Sequence, residues 1–261
     1  MNLDGATRLI AIVGDPIAQV KSPAGVTASL QARGRNAIVV PMHVTAIDLD
    51  RFVHGASLAR NLDGIIVTIP HKFAMTAYCT TLSARAKFLG AVNTLRRNAD
   101  GTWHGDMFDG LGFVAHMQHG HGEVRGKRAL IVGAGGAGTA IAHALLEAGT
   151  AHCAIHDADW ARRDHLIARL SSAFVGSASL GTDDPSGFDI VVNATPLGMR
   201  LTDPLPFQPK RLTARMVVGD VITAPVVSPL LEQARSVGCR TQTGVDMFNA
   251  VRELIVDFLT A

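Results

Sequence analysis

Three cysteines, Cys79, Cys153 and Cys239, are all the chain contains, and they are scattered. No pair has metal-ligand spacing and the number is odd, so neither a disulfide framework nor a zinc site is expected, and reduced thiols in a cytoplasmic protein fit best. No apolar run approaches the roughly 20 residues that span a bilayer, which argues against a membrane segment. The stretch Met1 to Arg8 carries Asp4 and lacks a long apolar core; it reads as the lead-in to a strand rather than a signal peptide. Lysine-rich and arginine-rich tracts are missing as well. With 24 basic against 22 acidic side chains, nothing implies a nucleic-acid partner. Repeats of solenoid length and low-complexity segments are also absent.

What is present is a chain of 261 residues, 48% of them hydrophobic. That is comfortable for two domains of ordinary size. Short β-rich runs alternate with helical stretches. Leu9–Val13, Ile38–Val44 (interrupted by Pro41) and Gly64–Ile69 read as strands, with helices over Pro23–Arg33 and Asp48–Leu58. This β-α-β-α order favours an α/β fold with a largely parallel sheet. Ala91–Arg96 and Thr102–His104 read as a strand pair around the turn Asn98-Ala99-Asp100-Gly101. A glycine- and histidine-rich stretch, His116 to Gly126, separates two regimes. Domain boundaries are expected to give 1–110, completed by a C-terminal helix at 245–261, and 111–244. In the second regime, Arg128–Val132, Cys153–His156, Ile190–Asn193 and Met216–Val221 read as strands. Thr139–Ala148, Trp160–Ser171, Pro229–Val237 and Phe248–Leu259 read as helices.

The second regime opens with strand, glycine-rich turn and helix in that order. Gly133-Ala134-Gly135-Gly136-Ala137-Gly138 contains G-x-G-x-x-G. Glycines there let backbone approach a pyrophosphate, which then faces the free N–H groups of the helix start. A close helix–strand contact would also call for small residues. Asp157, at the end of the next strand, stands about where a carboxylate receives the adenosine ribose hydroxyls and repels a 2′-phosphate. It could also cap the helix of Trp160. Asp159 adds negative charge, whereas Arg162 and Arg163 oppose it. The cofactor expected is NAD.

The first regime holds Gly14-Asp15-Pro16-Ile17-Ala18-Gln19-Val20-Lys21-Ser22-Pro23, then Val67-Thr68-Ile69-Pro70-His71-Lys72, Gly90-Ala91-Val92-Asn93-Thr94 and Asp109-Gly110-Leu111-Gly112-Phe113. The second adds Asn193-Ala194-Thr195-Pro196-Leu197-Gly198-Met199 and Gly219-Asp220-Val221. Singly each has a plain reading: Ser22-Pro23 and Asp109 as helix starts, Lys72 as a surface lysine, Asn93 as a turn bridge.

In collinear order, from about Ile12 to Met247, these motifs resemble the shikimate dehydrogenase family, which includes quinate dehydrogenases. The resemblance implies an N-terminal α/β substrate domain and a Rossmann-type dinucleotide-binding domain with a cleft between them. It implies a catalytic pair at Lys72 and Asp109 and substrate contacts from Ser22, Thr68 and Asn93. Cofactor contacts are implied at Gly133–Gly138, Asp157, Asn193, Thr195 and Val221, with no metal. The substrate expected is a cyclic hydroxy acid: shikimate, quinate or a relative. Whether the protein is a monomer or a homodimer stays open.

Several positions depart from the family. Val20, Ile66, Met107, Phe108 and Val251 stand where it carries polar side chains, and Asp157-Ala158-Asp159 replaces the N-R-T that grips an NADP phosphate. An apolar lining does not repay the dehydration of a carboxylate and three hydroxyls. A second reading is a dinucleotide-binding sensor without turnover. The polar losses favour it and retention of Lys72 and Asp109 opposes it.

Overall fold

The computed structural model describes residues 3–200 and 202–261; Met1 and Asn2 of the N-terminal lead-in lie outside them. The chain divides into two compact α/β units, Met1–Phe108 with Val251–Ala261, and Asp109–Ala250.

The first unit contains a six-stranded sheet in the order β2-β1-β3-β5-β6-β4. Its strands are β1 (Arg8–Gly14), β2 (Ala37–His43), β3 (Leu62–Val67), β4 (Thr81–Leu82), β5 (Thr94–Arg97) and β6 (Trp103–Asp106). β1 runs parallel to β2 and β3, and β5 is antiparallel to both β3 and β6. β1 is buried from Ile10 to Gly14 on both faces, which is why it reads as an unbroken apolar run rather than an alternating one. Pro41 does not interrupt β2, where it pairs with Ile12. β2 is an edge strand, so the missing N–H costs no ladder bond. Helices α1 (Ser22–Ala32), α2 (Leu49–Ser57) and α3 (Ala84–Leu89) complete the first part. The last helix, α8 (Gly244–Thr260), returns its final turns to this unit. There Glu253 accepts from Ser29 Oγ (2.8 Å) and pairs with Arg33 (3.0 Å), while Leu259 fills the space that a Cβ on Gly64 would need.

The second unit carries the sheet β12-β11-β10-β7-β8-β9, every neighbouring pair parallel. The strands are β7 (Arg128–Val132), β8 (His152–His156), β9 (Ala178–Leu180), β10 (Ile190–Asn193), β11 (Val217–Asp220) and β12 (Arg240–Gln242). Numbered from β7, this is the 3-2-1-4-5-6 order of a Rossmann sheet, with its reversal between β7 and β10. The helices are α4 (Asp109–His121), α5 (Gly136–Glu147), α6 (Trp160–Ala173) and α7 (Pro229–Ser236). α5 is buried from Gly138 to Leu146, which its small side chains permit.

Three local expectations are corrected. The stretch from His116 is not a separator, because α4 continues to His121, with Phe113 and Met117 buried beneath it. Ser22 is the first helical residue of α1, not its cap, which is Lys21. α6 is capped by Asp159, whose side chain accepts from Arg162 N–H (3.0 Å), not by Asp157. Among the described residues no helix is long and apolar enough to cross a membrane.

Candidate functional site

In the second unit, the three fingerprint glycines have three separate physical reasons. Gly133 turns the chain with φ +108° and its N–H donates to His156 O (2.7 Å). Few L side chains adopt that backbone. A Cβ on Gly138 would lie 1.9 Å from Gly133 O, so α5 sits on the turn with no room for a side chain. Gly135 is different. It caps α5 with φ −72°, in extended backbone open to any residue, and a Cβ there would meet nothing within 4 Å. Nothing inside the protein requires glycine at 135. Open space above a helix N-terminus is where a pyrophosphate approaches backbone most closely.

Asp157 faces the same turn. Its Oδ2 accepts Ala134 N–H (2.6 Å) and its Oδ1 accepts Asp159 N–H (2.8 Å). A carboxylate has about four acceptor positions, so hydroxyl donors still find lone pairs. Arg162 pairs with Asp159 (3.3 Å) and Arg163 with Asp164 (2.8 Å). Both cations near the turn therefore have carboxylate partners of their own.

Asn193 ends β10 and is fully buried. Its Nδ2 donates to Leu197 O (3.0 Å) and Asp220 Oδ1 (3.1 Å), and its Oδ1 accepts from Thr195 N–H (3.0 Å) and Thr195 Oγ1 (2.6 Å). All four hydrogen-bonding positions of the amide are used. Its service is to shape the loop that follows, and Ala194 of that loop touches Gly133 and Gly138. Val221 N–H donates to Asn193 O (3.1 Å), tying the end of β11 to the same point. The bonding of the Asn193 amide is a product of the fold; the sequence carries only the motif.

Asp109 begins α4 and is buried. The glycine after it has a packing reason: a Cβ on Gly110 would lie 2.0 Å from Ala140 O, so α4 meets α5 backbone to backbone at this turn. Phe113, one turn on, occupies the space above Gly219 in β11, and Gln242 Nε2 donates to its carbonyl (3.1 Å). The motif thus fixes where α4 starts, and with it Asp109.

In the first unit, the polar candidates Thr68, Lys72 and Asn93 follow the C-terminal end of β3 or precede the start of its antiparallel neighbour β5. Val67 N–H donates to Asn93 O (2.7 Å), and Val92 N–H to Lys72 O (2.9 Å), so the two segments are stitched together. Asn93 is buried, and its Oδ1 accepts from Phe108 N–H (3.1 Å) and Thr94 Oγ1 (3.2 Å). That orients the amide with its oxygen inward. Buried Ser22 begins α1 after the loop that leaves the C-terminal end of β1.

The apolar departures divide into two sets. Ile66 and Val251 are buried, and Val20 is half-buried. Met107 and Phe108 belong to a packed cluster of the first unit. Arg85 donates to Met107 O (2.6 Å), pairs with Asp106 (2.8 Å) and lies over the Phe108 ring at 5.4 Å. That ring meets Phe258 edge-on at 5.3 Å. No sequence signal marked the Arg85–Asp106 clamp.

Among the described residues no group of three or more His, Cys, Asp or Glu side chains is placed to hold a metal ion. All three cysteines are free, and burial pushes the Cys79 and Cys153 thiols up to about 12, far from thiolate nucleophiles.

Residues 12–95 match the shikimate dehydrogenase substrate binding domain. The chain is 37% identical over 236 residues to a shikimate dehydrogenase (NADP(+)) of Rubrobacter xylanophilus, covering 89% of this chain and 83% of that protein. Among solved structures it is similar to the ligand-free 5-ketofructose reductase of a Gluconobacter strain, with TM-score 0.83, 30% identity and coverage of 97% and 92%. It is also similar to a quinate dehydrogenase of Corynebacterium glutamicum in complex with NAD, with TM-score 0.85, 29% identity and coverage of 97% and 94%.

Proposed function

Since the chain belongs to the shikimate dehydrogenase family, we propose that it is an NAD-dependent dehydrogenase moving a hydride between a ring carbinol of a cyclic hydroxy acid and the nicotinamide. The observation that carries the dinucleotide part is Gly135, a glycine at the start of α5 that no contact among the described residues requires. A bound nicotinamide supplies the hydride acceptor or donor. The rest falls to the chain's own residues. Lys72 takes the hydroxyl proton in oxidation and returns it in reduction, holding the developing alkoxide by a charged hydrogen bond. Asp109 orients the same hydroxyl. Ser22 and Thr68 offer hydroxyls, and Asn93 an amide, to the polar groups of the substrate. The carboxylates Asp157 and Asp159 favour the unphosphorylated ribose, in line with the NAD bound to the quinate dehydrogenase neighbour. The curated relative carries NADP(+) in its name.

That contrast gives a prediction. NAD binds at least about tenfold more tightly than NADP, a gap of ~1.4 kcal/mol, because a 2′-phosphate meets Asp157 and Asp159 while Arg162 and Arg163 are engaged by carboxylates. Titration of both dinucleotides checks it, and equal affinity would reject the preference.

A second concerns substrate. Ile66 and Val251 offer no hydrogen bond where the family has polar groups, and each lost bond is worth about 0.5–3 kcal/mol. Catalytic efficiency on shikimate and quinate with NAD stays below about 10⁶ M⁻¹s⁻¹. A panel including less hydroxylated cyclic acids, with 5-ketofructose for the reductase neighbour, finds a better substrate. Efficiency above that level on either acid would show that the apolar positions do not select.

A further inference from the structure

Asp220, the last residue of β11, is a carboxylate with no exposure to solvent. The groups that bear on it are all neutral: Ile222 N–H (3.0 Å) and Asn193 Nδ2 (3.1 Å) on Oδ1, Ser228 Oγ (2.6 Å) on Oδ2, and the Val221 N–H. Buried carboxylates ordinarily have a cation or carry a proton. A site serving packing alone would be served as well by an uncharged side chain.

The chain of contacts leads to the turn. Asp220 holds Nδ2 of Asn193. Asn193 Oδ1 receives the N–H and the hydroxyl of Thr195, and Thr195 Oγ1 accepts from Leu197 N–H (3.1 Å). Between them, Ala194 lies against Gly133 and Gly138. We propose that Asp220 is a positioning residue for dinucleotide binding: its ionised carboxylate fixes Asn193 and, through it, the 194–197 loop against the glycine-rich turn. The inference rests on the dinucleotide reading of this unit and adds to it a residue that touches no ligand.

Charge is what makes the hold strong, since hydrogen bonds to an ionised acceptor are about twice as strong as neutral ones. Burial pushes the carboxyl up to about 6, although the hydrogen bonds from Ser228, Ile222 and Asn193 pull it down. Above that pH the group is ionised and the loop is held. Below it, a proton occupies one oxygen and the hold on Asn193 slackens. For stability the sign is opposite. The folded state binds the extra proton between the ordinary carboxyl range and about pH 6, so stability falls as pH rises through that window.

The test is NAD titration of wild type, Asp220→Asn and Ser228→Ala between pH 5 and 7.5, with melting temperatures alongside. In wild type the Kd for NAD rises several-fold as pH falls through about 6. Asp220→Asn binds NAD about tenfold more weakly at pH 7.5, shows no such pH step, and melts no lower than wild type because no buried charge remains. In a Thr195→Val background, Asp220→Asn adds little further loss, as expected of residues acting in one chain. Ser228→Ala removes a donor that favours ionisation, so the midpoint of the pH step moves up. Wild-type affinity for NAD in Asp220→Asn, or a midpoint that Ser228→Ala leaves in place, overturns the proposal. Wild type binding neither NAD nor NADP overturns the dinucleotide reading itself.

Discussion

Replacing Lys72 by alanine lowers turnover about 10²–10⁴-fold, the usual share of a positioned acid–base group, and leaves NAD affinity within about twofold. The size of the first effect follows from the role proposed for the Lys72 side chain. Without it, proton transfer falls to water and the alkoxide loses its charged hydrogen bond. The smallness of the second follows from location. Lys72 belongs to the first unit, whereas the glycine-rich turn, Asp157 and the Asn193 loop all belong to the second. The backbone of the Lys72 segment is held by its carbonyl through Val92 N–H, a bond that side-chain truncation leaves in place. Asp109→Asn gives a comparable loss in turnover, since shape is retained and only charge removed. Single-turnover kinetics on the best substrate of the panel, with NAD titration beside them, check both variants. Near-normal turnover in Lys72→Ala would remove the lysine from the mechanism.

Gly135→Val abolishes dinucleotide binding, by about a hundredfold or more in Kd, in a protein that folds as well as wild type. The two halves of this expectation have one cause. A Cβ at 135 would meet nothing within 4 Å, and the existing φ of −72° is open to any residue. Removing a glycine from such a position restricts the unfolded chain and is neutral or mildly stabilising. The volume filled is the space above the α5 N-terminus, where the pyrophosphate would meet free N–H groups. A melting scan with and without NAD reads both at once: an unchanged transition that NAD no longer raises. Retained stabilisation by NAD would show that the dinucleotide lies elsewhere. Gly138→Ala is the contrasting control, because its Cβ would strike Gly133 O and the fold itself would suffer.

The four longer strands of the second unit were legible because parallel strands covered on both faces are written as plain apolar runs, as in Leu130-Ile131-Val132 and Val191-Val192. α4 was less legible. Gly110, Gly112 and Gly120 depress its helix propensity, yet Phe113 and Met117 are buried beneath it, and tertiary contact overrides the local preference. The two- and three-residue strands β4, β9 and β12 carry too little pattern to be read alone. In the site, Thr68, Lys72 and Asn93 were visible as motif members. That the Phe108 ring packs against Phe258 and Arg85 has no signal in the sequence.

The sequence by itself determined the fold class, the family and the glycine-rich turn, because these rest on periodicity, on residue types that backbone geometry demands, and on motifs in collinear order. The tertiary structure alone decided how the three glycines and Asn193 are packed and bonded. Gly133, Gly135 and Gly138 are the same letter in the sequence. One turns the chain, one leaves room, and one lets a helix rest on a carbonyl. Asn193 and Asp220 lie 27 residues apart in the chain. That they share a hydrogen bond is set by β10 and β11 pairing in register. Partners of a buried polar group are chosen in three dimensions, since only the packed chain excludes the water that would otherwise satisfy them.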